Sequence, residues 1–198
     1  MLQALDLLST FAFALVGARI AANRKMDYAG IALIALVASV SGGTLRNVFL
    51  GIKPIWITDI WVISVVLLAV LITLFSGRVE IGKWLLALDT FGLAIATMSG
   101  ALFAYELETT WYAAIMLGVI TAVTGGLLRD VLCQVEPVLL HRETIGTSSF
   151  VGAIIFVAMM QFDLGDSGSS IAAFTGGAFV IITRFISIKF NLNLPRVK

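Results

Sequence analysis

The sequence predicts an all-α membrane protein with seven transmembrane helices, made of two inverted three-helix repeats and a seventh helix. The first observation behind this prediction is composition: the 198 residues are 60% hydrophobic and 13% charged, whereas soluble domains average about 45–50% apolar and about 25% charged residues. The second is that long apolar runs recur along the whole chain, and the third is that one stretch of sequence returns 83 positions later. We therefore treat residues 1–198 as a single transmembrane domain.

The apolar runs define the individual helices. A helix needs about 20 apolar residues to cross a bilayer, and charge, glycine, proline and length separate segments of about that size. The first segment carries Asp6 where a signal peptide has Lys or Arg, so we expect it to be retained as a helix. The seven predicted spans are Leu2–Ala22, Tyr28–Leu50, Ile57–Ser76, Trp84–Tyr105, Thr110–Cys133, Thr144–Phe162 and Ser169–Ile188.

The loops between these spans differ in charge from one side to the other. One side carries most of the basic residues, namely Arg24, Lys25, Arg78, Lys83, Arg142, Lys189, Arg196 and Lys198. The other side carries Lys53 beside Glu106, Glu108, Asp163 and Asp166. Because cytoplasmic loops are enriched in Lys and Arg, we expect a multi-pass protein of the cell (inner) membrane with its N-terminus outside and its C-terminus in the cytoplasm.

Charge and residue content exclude several classes of function. A net charge of +1 with scattered basic residues gives no reason to expect a nucleic-acid partner, so membrane lipid is the expected surrounding. Cys133 is the only cysteine and His141 the only histidine, so neither a disulfide, a metal site nor a cofactor is expected. The sequence also lacks a nucleophile–base arrangement, paired catalytic carboxylates or a phosphate loop, and it is therefore not expected to be an enzyme.

The internal repeat is carried by polar and small residues as well as apolar ones. The segment Ser41–Val48 (SGGTLRNV) aligns with Thr124–Val131 (TGGLLRDV) at an offset of 83 positions. The same register aligns Asp6 with Asp89 and Pro54 with Pro137. Two unrelated apolar helices share Leu and Ala by chance, but not Gly-Gly, Arg, Asp and Pro at one offset. The pattern therefore indicates duplication.

The repeat predicts the arrangement of the spans. Residues 2–82 form the first three-helix repeat, residues 84–165 the second, and residues 169–188 the seventh helix. Because three is an odd number of crossings, the second copy enters the membrane from the opposite face. Folds of this kind place their path at the interface of the repeats, along helices interrupted by glycine or proline. Here those are the second and fifth predicted helices.

The glycine pairs are the first candidate site. A Gly-Gly pair loosens a helix and favours a kink, and freed carbonyl groups are tolerated where they line a wet cavity. We expect a kinked path at these positions, with close helix packing as the alternative. The candidate pore and kink residues are Ser41, Gly42, Gly43, Thr44, Thr124, Gly125 and Gly126.

The charged residues that follow the glycines are the second candidate site. Arg46 and Arg129 lie about one helical turn beyond the glycines, at a depth where an ionised side chain needs a partner. We predict that Asp6 pairs with Arg46, and Asp89 with Arg129, so that the pairs bracket the path. The alternative is that each Arg reaches its own interface without a partner.

The residues directly after the two arginines differ between the repeats. Asn47 follows Arg46 and is neutral, whereas Asp130 follows Arg129 and is acidic. A path with chemically unequal ends could rectify or gate, so both residues are included among the charged gate or pathway candidates.

These motifs resemble the trimeric intracellular cation channel (TRIC) family, particularly its prokaryotic members, whose repeat has also been described as a glycine-transporter-like domain. The resemblance covers nearly the whole chain, and Ser41–Asn47 with Thr124–Asp130 are its most specific part. It implies a homotrimer with a pore inside each protomer, helices two and five kinked at their glycines, and Arg46 and Arg129 near the path. A basic lipid-binding sequence at helix four is not recognisable here, so phosphoinositide regulation is not expected.

Two functions remain open at this point. The resemblance implies a channel for monovalent cations, chiefly K⁺ with Na⁺ as a second permeant ion. The alternative is a secondary transporter of a small zwitterion such as glycine, because inverted repeats and broken helices occur equally in transporters.

Overall fold

The computed structural model describes residues 2–76, 82–135, 145–162 and 167–190, and every regular element within them is a helix. The helices are α1 (Leu2–Asn23), α2 (Tyr28–Phe49), α3 (Ile55–Thr58), α4 (Ile60–Phe75), α5 (Lys83–Glu106), α6 (Trp111–Leu132), α7 (Ile145–Met160) and α8 (Gly168–Phe190). Helix α3 has a single turn and lies between α2 and α4.

The long helices agree with the predicted spans to within a few residues. The main difference is the third span, which begins at Ile60 rather than at Ile57. Asp59 causes this difference, because its carboxylate accepts a hydrogen bond of 2.9 Å from the backbone N–H of Trp61 and so caps α4. Several residues of the sequence analysis lie outside the described part of the chain: Arg78, Pro137, His141, Arg142, Thr144, Asp163, Asp166, Arg196 and Lys198.

Length and composition divide the helices into two groups. In the described part, five helices are long and apolar enough to cross a membrane: α1, α2, α5, α6 and α8. The apolar helices α4 and α7 have 16 residues each. At a rise of 1.5 Å per residue they are about 24 Å long, which is shorter than the hydrocarbon core of about 30 Å.

The two halves of the chain share the same turns. Among the described residues, four have positive φ angles: Lys25, Glu108, Gly51 and Gln134. Lys25 and Glu108 are 83 positions apart, and so are Gly51 and Gln134. The turns that end α2 and α6 also have the same backbone hydrogen bond. Ile52 N–H donates to the Asn47 carbonyl (2.9 Å), and Val135 N–H donates to the Asp130 carbonyl (3.0 Å). The repeat in sequence is therefore a repeat in backbone conformation.

Each half has its own hydrophobic core. The first lies mainly among α1, α2 and α4 and includes Val16, Ile34 and Ala69. The second lies mainly among α5 to α8 and includes Leu102, Phe156 and Val180. Large apolar side chains also cover the outside of the helices, among them Leu33, Leu67, Phe91, Met116, Ile154, Phe174 and Ile182. An apolar exterior of this kind is expected where lipid is the solvent.

Candidate functional site

Helices α2 and α6 cross at the first glycine of each pair. A Cβ atom added to Gly42 would clash with the Thr121 carbonyl oxygen, at a distance well below 3.0 Å. A Cβ atom added to Gly125 would clash in the same way with the Ala38 carbonyl oxygen. Since Ala38 and Thr121 are also 83 positions apart, the contact is reciprocal. Backbones can approach this closely only at glycine, so close packing explains Gly42 and Gly125.

The second glycine of each pair has a different environment. A Cβ on Gly43 would lie 3.8 Å from Nη2 of Arg46, and one on Gly126 would lie 3.7 Å from Nη2 of Arg129. These are ordinary van der Waals distances, so neither position requires glycine for space. At both positions the nearest group is the guanidinium of the arginine three residues later in the same helix.

The expectation that the glycine pairs interrupt their helices is wrong. Helix α2 continues without a break from Tyr28 to Phe49, and α6 continues from Trp111 to Leu132. Glycine lowers helix propensity by about 1 kcal/mol, but the crossing packs the first glycine of each pair against the partner helix, and tertiary packing commonly overrides propensity. A bend of the helix axis, as opposed to a break, stays a prediction.

The hydroxyl residues beside the glycines fall into two groups. Thr44 and Thr124 each donate to a carbonyl four residues earlier in the same helix, at 2.7 Å and 2.6 Å. Thr44 also accepts a hydrogen bond of 3.0 Å from Nε1 of Trp56. Ser41 lies at the crossing, and its buried Oγ has no hydrogen-bond partner among the described residues.

The first-half cluster, which we define as Asp6, Arg46 and Asn47, surrounds a buried guanidinium group. Arg46 lies 3.3–3.4 Å from both carboxylate oxygens of Asp6, and its Nε donates to Oδ1 of Asn47 at 2.9 Å. One face of the guanidinium lies 4.2 Å from the centre of the Phe103 ring. Ser99 donates a hydrogen bond to the Asp6 carboxylate. The predicted pairing of Asp6 with Arg46 is confirmed.

The second-half cluster, which we define as Asp89, Arg129 and Asp130, has the same plan with one more carboxylate. Arg129 Nη1 lies 2.6 Å from Asp89, and its Nε lies 2.8 Å from Asp130. The predicted pairing of Asp89 with Arg129 is therefore confirmed. The three side chains carry a formal charge of −1, whereas those of the first-half cluster carry none. Charges at this depth are tolerated because they are paired and hydrogen-bonded.

A cavity of about 50 Å³ lies beside the first-half cluster. A water molecule needs at least about 10–15 Å³ of such space, so the cavity has room for a few waters. Its wall includes Asp6, Gly43, Thr44, Arg46 and Trp56. A second cavity of about 330 Å³ adjoins it, and Asp6, Ile55 and Val62 belong to both walls. A water-accessible space therefore reaches the carboxylate of Asp6.

Two buried arginines, and two residues that contact the first-half cluster, were not among the sequence predictions. Arg19 in α1 and Arg184 in α8 are buried, with relative exposures of 6% and 0%, and a charged residue inside an apolar span was the signal that would have identified them. Ser99 and Phe103 contact the first-half cluster from α5. Nothing in the linear sequence indicates those two contacts, because they join different repeats.

A model of the glycine transporter family matches residues 3–78 and, a second time, residues 86–161. The first residues of the two matches are 83 positions apart, and so are their last residues. This is the offset of the sequence repeat and of the shared turns. The chain belongs to the glycine transporter family.

Curated relatives of this glycine transporter family member are bacterial membrane proteins. A UPF0126 membrane protein of Vibrio cholerae is 32% identical over 98% of this chain and 82% of its own length. The UPF0126 inner membrane protein YadS of Escherichia coli K12 is 31% identical over 96% of this chain and 93% of its own length. Together with the five long apolar helices, these relatives identify a multi-pass membrane protein.

Solved structures with the same fold are described as cation channels. The TRIC trimeric intracellular cation channel orthologue from Rhodobacter sphaeroides is 32% identical, with a TM-score of 0.86 over 96% of this chain and 98% of that one. A second TRIC cation channel is 27% identical, also with a TM-score of 0.86, over 99% and 97%. The resemblance to TRIC channels is confirmed, and these neighbours are channels rather than enzymes, as expected from the sequence.

Proposed function

We propose that this protein is a monovalent cation channel, with the path inside one protomer along α2 and α6. The observation that carries the proposal is the reciprocal crossing of these helices. About one helical turn after its glycines, each helix has a buried arginine that is paired with a carboxylate. The likeness to solved TRIC cation channels supports the same conclusion.

The proposal includes two inverted repeats, seven spans and an N-terminus outside the cell. The reciprocal contact of Gly42 with Thr121 and of Gly125 with Ala38 supports the inversion, because such a contact is the mark of a two-fold axis. The 16-residue helices α4 and α7 complete the two repeats as the third and sixth spans, since short apolar helices are accommodated by local thinning of the bilayer.

The lining of the first cavity suits a cation. Asp6 contributes carboxylate oxygens and Thr44 a hydroxyl oxygen, and oxygen atoms of this kind replace the water shell of a permeating cation. At the other end, the extra carboxylate of Asp130 makes the second-half cluster unfavourable for anions. The proposed preference for K⁺ over Na⁺ is what the resemblance to the TRIC family implies.

The proposed assembly is a homotrimer in the inner membrane, surrounded by lipid. The description of the Rhodobacter sphaeroides neighbour as trimeric supports the first part. The description of the Escherichia coli relative as an inner membrane protein supports the second.

A secondary transporter of a small zwitterion such as glycine is the second candidate. The name of the family favours it, and so does the cavity that presents the carboxylate of Asp6 and the guanidinium of Arg46 side by side. A zwitterion would have to replace both members of this ion pair at once, whereas a cation needs only a further lone pair of the Asp6 carboxylate.

Purified protein in planar bilayers under a KCl gradient separates these functions. A channel gives unitary currents that reverse near the K⁺ equilibrium potential, and Asp6→Asn lowers the unitary conductance. The exposed Glu106→Gln is the control, since it also removes one carboxylate but lies at the end of α5. Absence of unitary currents together with saturable, Na⁺- or proton-coupled glycine uptake would establish the transporter instead.

A further inference from the structure

We propose that Asn47 is a positioning residue that couples the Asp6–Arg46 ion pair to the α3 segment and thereby controls opening at that end of the path. This inference rests on the proposed channel function and deepens it. The α3 segment is defined here as residues 51–59, which join α2 to α4 and contain α3.

The two ends of the Asn47 amide have different partners. Its Oδ1 accepts from Nε of Arg46 at 2.9 Å, and its Nδ2 donates to the backbone carbonyl of Lys53 at 3.0 Å. An arginine Nε only donates and a carbonyl only accepts, so the partners fix the orientation of the amide. Asn47 is 1% exposed, which means that water does not substitute for either bond.

The α3 segment forms part of the cavity wall. Trp56 lines the smaller cavity, and Ile55 lines both cavities beside Asp6. No residue of the four-residue helix α3 is buried, so few apolar contacts hold it in place. Elements of this kind open at low cost in free energy.

Side-chain hydrogen bonds at three points hold the segment against α1 and α2. Lys53 is held by Asn47, and Trp56 donates from Nε1 to Thr44 at 3.0 Å. Near the end of the segment, Asp59 accepts from Nε2 of Gln3 at 2.9 Å. Of these three points, only the Asn47 bond is linked directly to the ion pair.

This link makes the cavity wall sensitive to the ion pair. A cation beside Asp6 competes with Arg46 for the same carboxylate, and movement of the guanidinium removes the partner of Asn47 Oδ1. The amide then loses the orientation that holds Lys53, and the α3 segment is released from the cavity. The equivalent residue in the second half is Asp130, whose side chain has no N–H group and cannot hold a carbonyl in this way.

The test combines hydrogen exchange with single-channel recording on full-length protein in lipid. Asn47→Asp keeps the side-chain shape and the acceptor for Arg46 but removes the donor to Lys53. We expect amide exchange in residues 51–59 to become about tenfold faster, as for the loss of one net hydrogen bond, and the open probability to rise several-fold. Open probability and unitary conductance are measured separately in the same recordings, so an effect of the added charge on permeation is distinguished from a change in opening.

Three further variants keep the result interpretable. Gln134→Glu is the control, because it makes the same amide-to-carboxylate change at an exposed residue after α6, and it is expected to leave exchange in residues 51–59 unchanged. Trp56→Phe removes the donor to Thr44 together with part of the ring, and it is expected to act in the same direction as Asn47→Asp but more weakly. If Asn47→Asp does not fold, Arg46→Lys takes its place, because it keeps the positive charge but removes the Nε donor to Asn47, and it is likewise expected to speed exchange in residues 51–59.

The outcomes separate this inference from the channel proposal. Faster exchange together with a higher open probability supports the coupling. Unchanged exchange in Asn47→Asp, or faster exchange with an unchanged open probability, overturns it. Absence of currents from the wild-type protein overturns the channel proposal itself, whatever the exchange data show.

Discussion

The two halves of the molecule share a backbone but differ in the chemistry of their charged clusters. The turns after α1 and α2 recur after α5 and α6, and each half pairs one arginine with one aspartate. The first-half cluster is formally neutral, with its ion pair at 3.3 Å. The second-half cluster has a formal charge of −1 and ion pairs at 2.6 Å and 2.8 Å.

This difference shows what duplication preserved and what it left free to change. The glycine crossing and the arginines are needed in both copies, because the same close approach and the same buried cation occur twice. The residues that surround the arginines are not constrained in the same way. Ser99 and Phe103 contact the first-half cluster, and the residues 83 positions earlier, Val16 and Ile20, are aliphatic. The two charged clusters are thereby given different partners.

The largest expected effect is the loss of Arg129. Arg129→Gln leaves the carboxylates of Asp89 and Asp130 near each other without their shared cation, and breaking a buried pair costs about 3–5 kcal/mol. Arg46→Gln leaves only Asp6, which keeps the hydrogen bond from Ser99, so its cost is smaller. The free energy of unfolding in detergent measures both, with the exposed Lys189→Gln as control. Equal costs for the two arginines would remove the difference between the halves.

The next largest effect concerns the crossing that the halves share. Gly42→Ala and Gly125→Ala each place a methyl group against a backbone carbonyl that cannot move aside, and we expect each to cost about 3 kcal/mol. Gly43→Ala and Gly126→Ala are matched controls, and they are neutral or stabilise by up to about 1 kcal/mol through helix propensity. Thermal unfolding of the four variants checks this. Stable Gly42→Ala protein would contradict the assignment of the first glycines to packing.

A smaller effect is the coupling within each ion pair. A double-mutant cycle with Asp6→Asn and Arg46→Gln is expected to give a coupling free energy of about 1 kcal/mol, and the cycle with Asp89→Asn and Arg129→Gln about 2 kcal/mol. The second is larger because Asp89 and Arg129 are closer, at 2.6 Å against 3.3 Å. Additive effects in both cycles would show that proximity does not produce interaction here.

The sequence was sufficient for the helices and the ion pairs, but not for the roles of the glycines. Apolar length predicts the spans, and the span ends place Asp6 and Arg46 at similar distances from the same end of their helices. The constant offset then gives Asp89 and Arg129 the equivalent positions. Which face of a helix a glycine presents depends on the partner helix, so Gly42 and Gly43 look equivalent in sequence although only Gly42 lies at the crossing. Contacts between halves, such as Ser99 with Asp6, also require the packed structure.

The smallest expected effect tests whether Ser99 contributes to the difference between the halves. Ser99→Ala removes the hydrogen bond to the Asp6 carboxylate and is expected to cost about 1 kcal/mol. Ser64→Ala is the control, because Ser64 is exposed and donates only to the Ile60 carbonyl of its own helix among the described residues. If Ser99→Ala costs no more than Ser64→Ala, Arg46 alone satisfies Asp6. The difference between the two clusters then rests on Asn47 and Asp130, the one pair of positions where the clusters themselves differ in residue type.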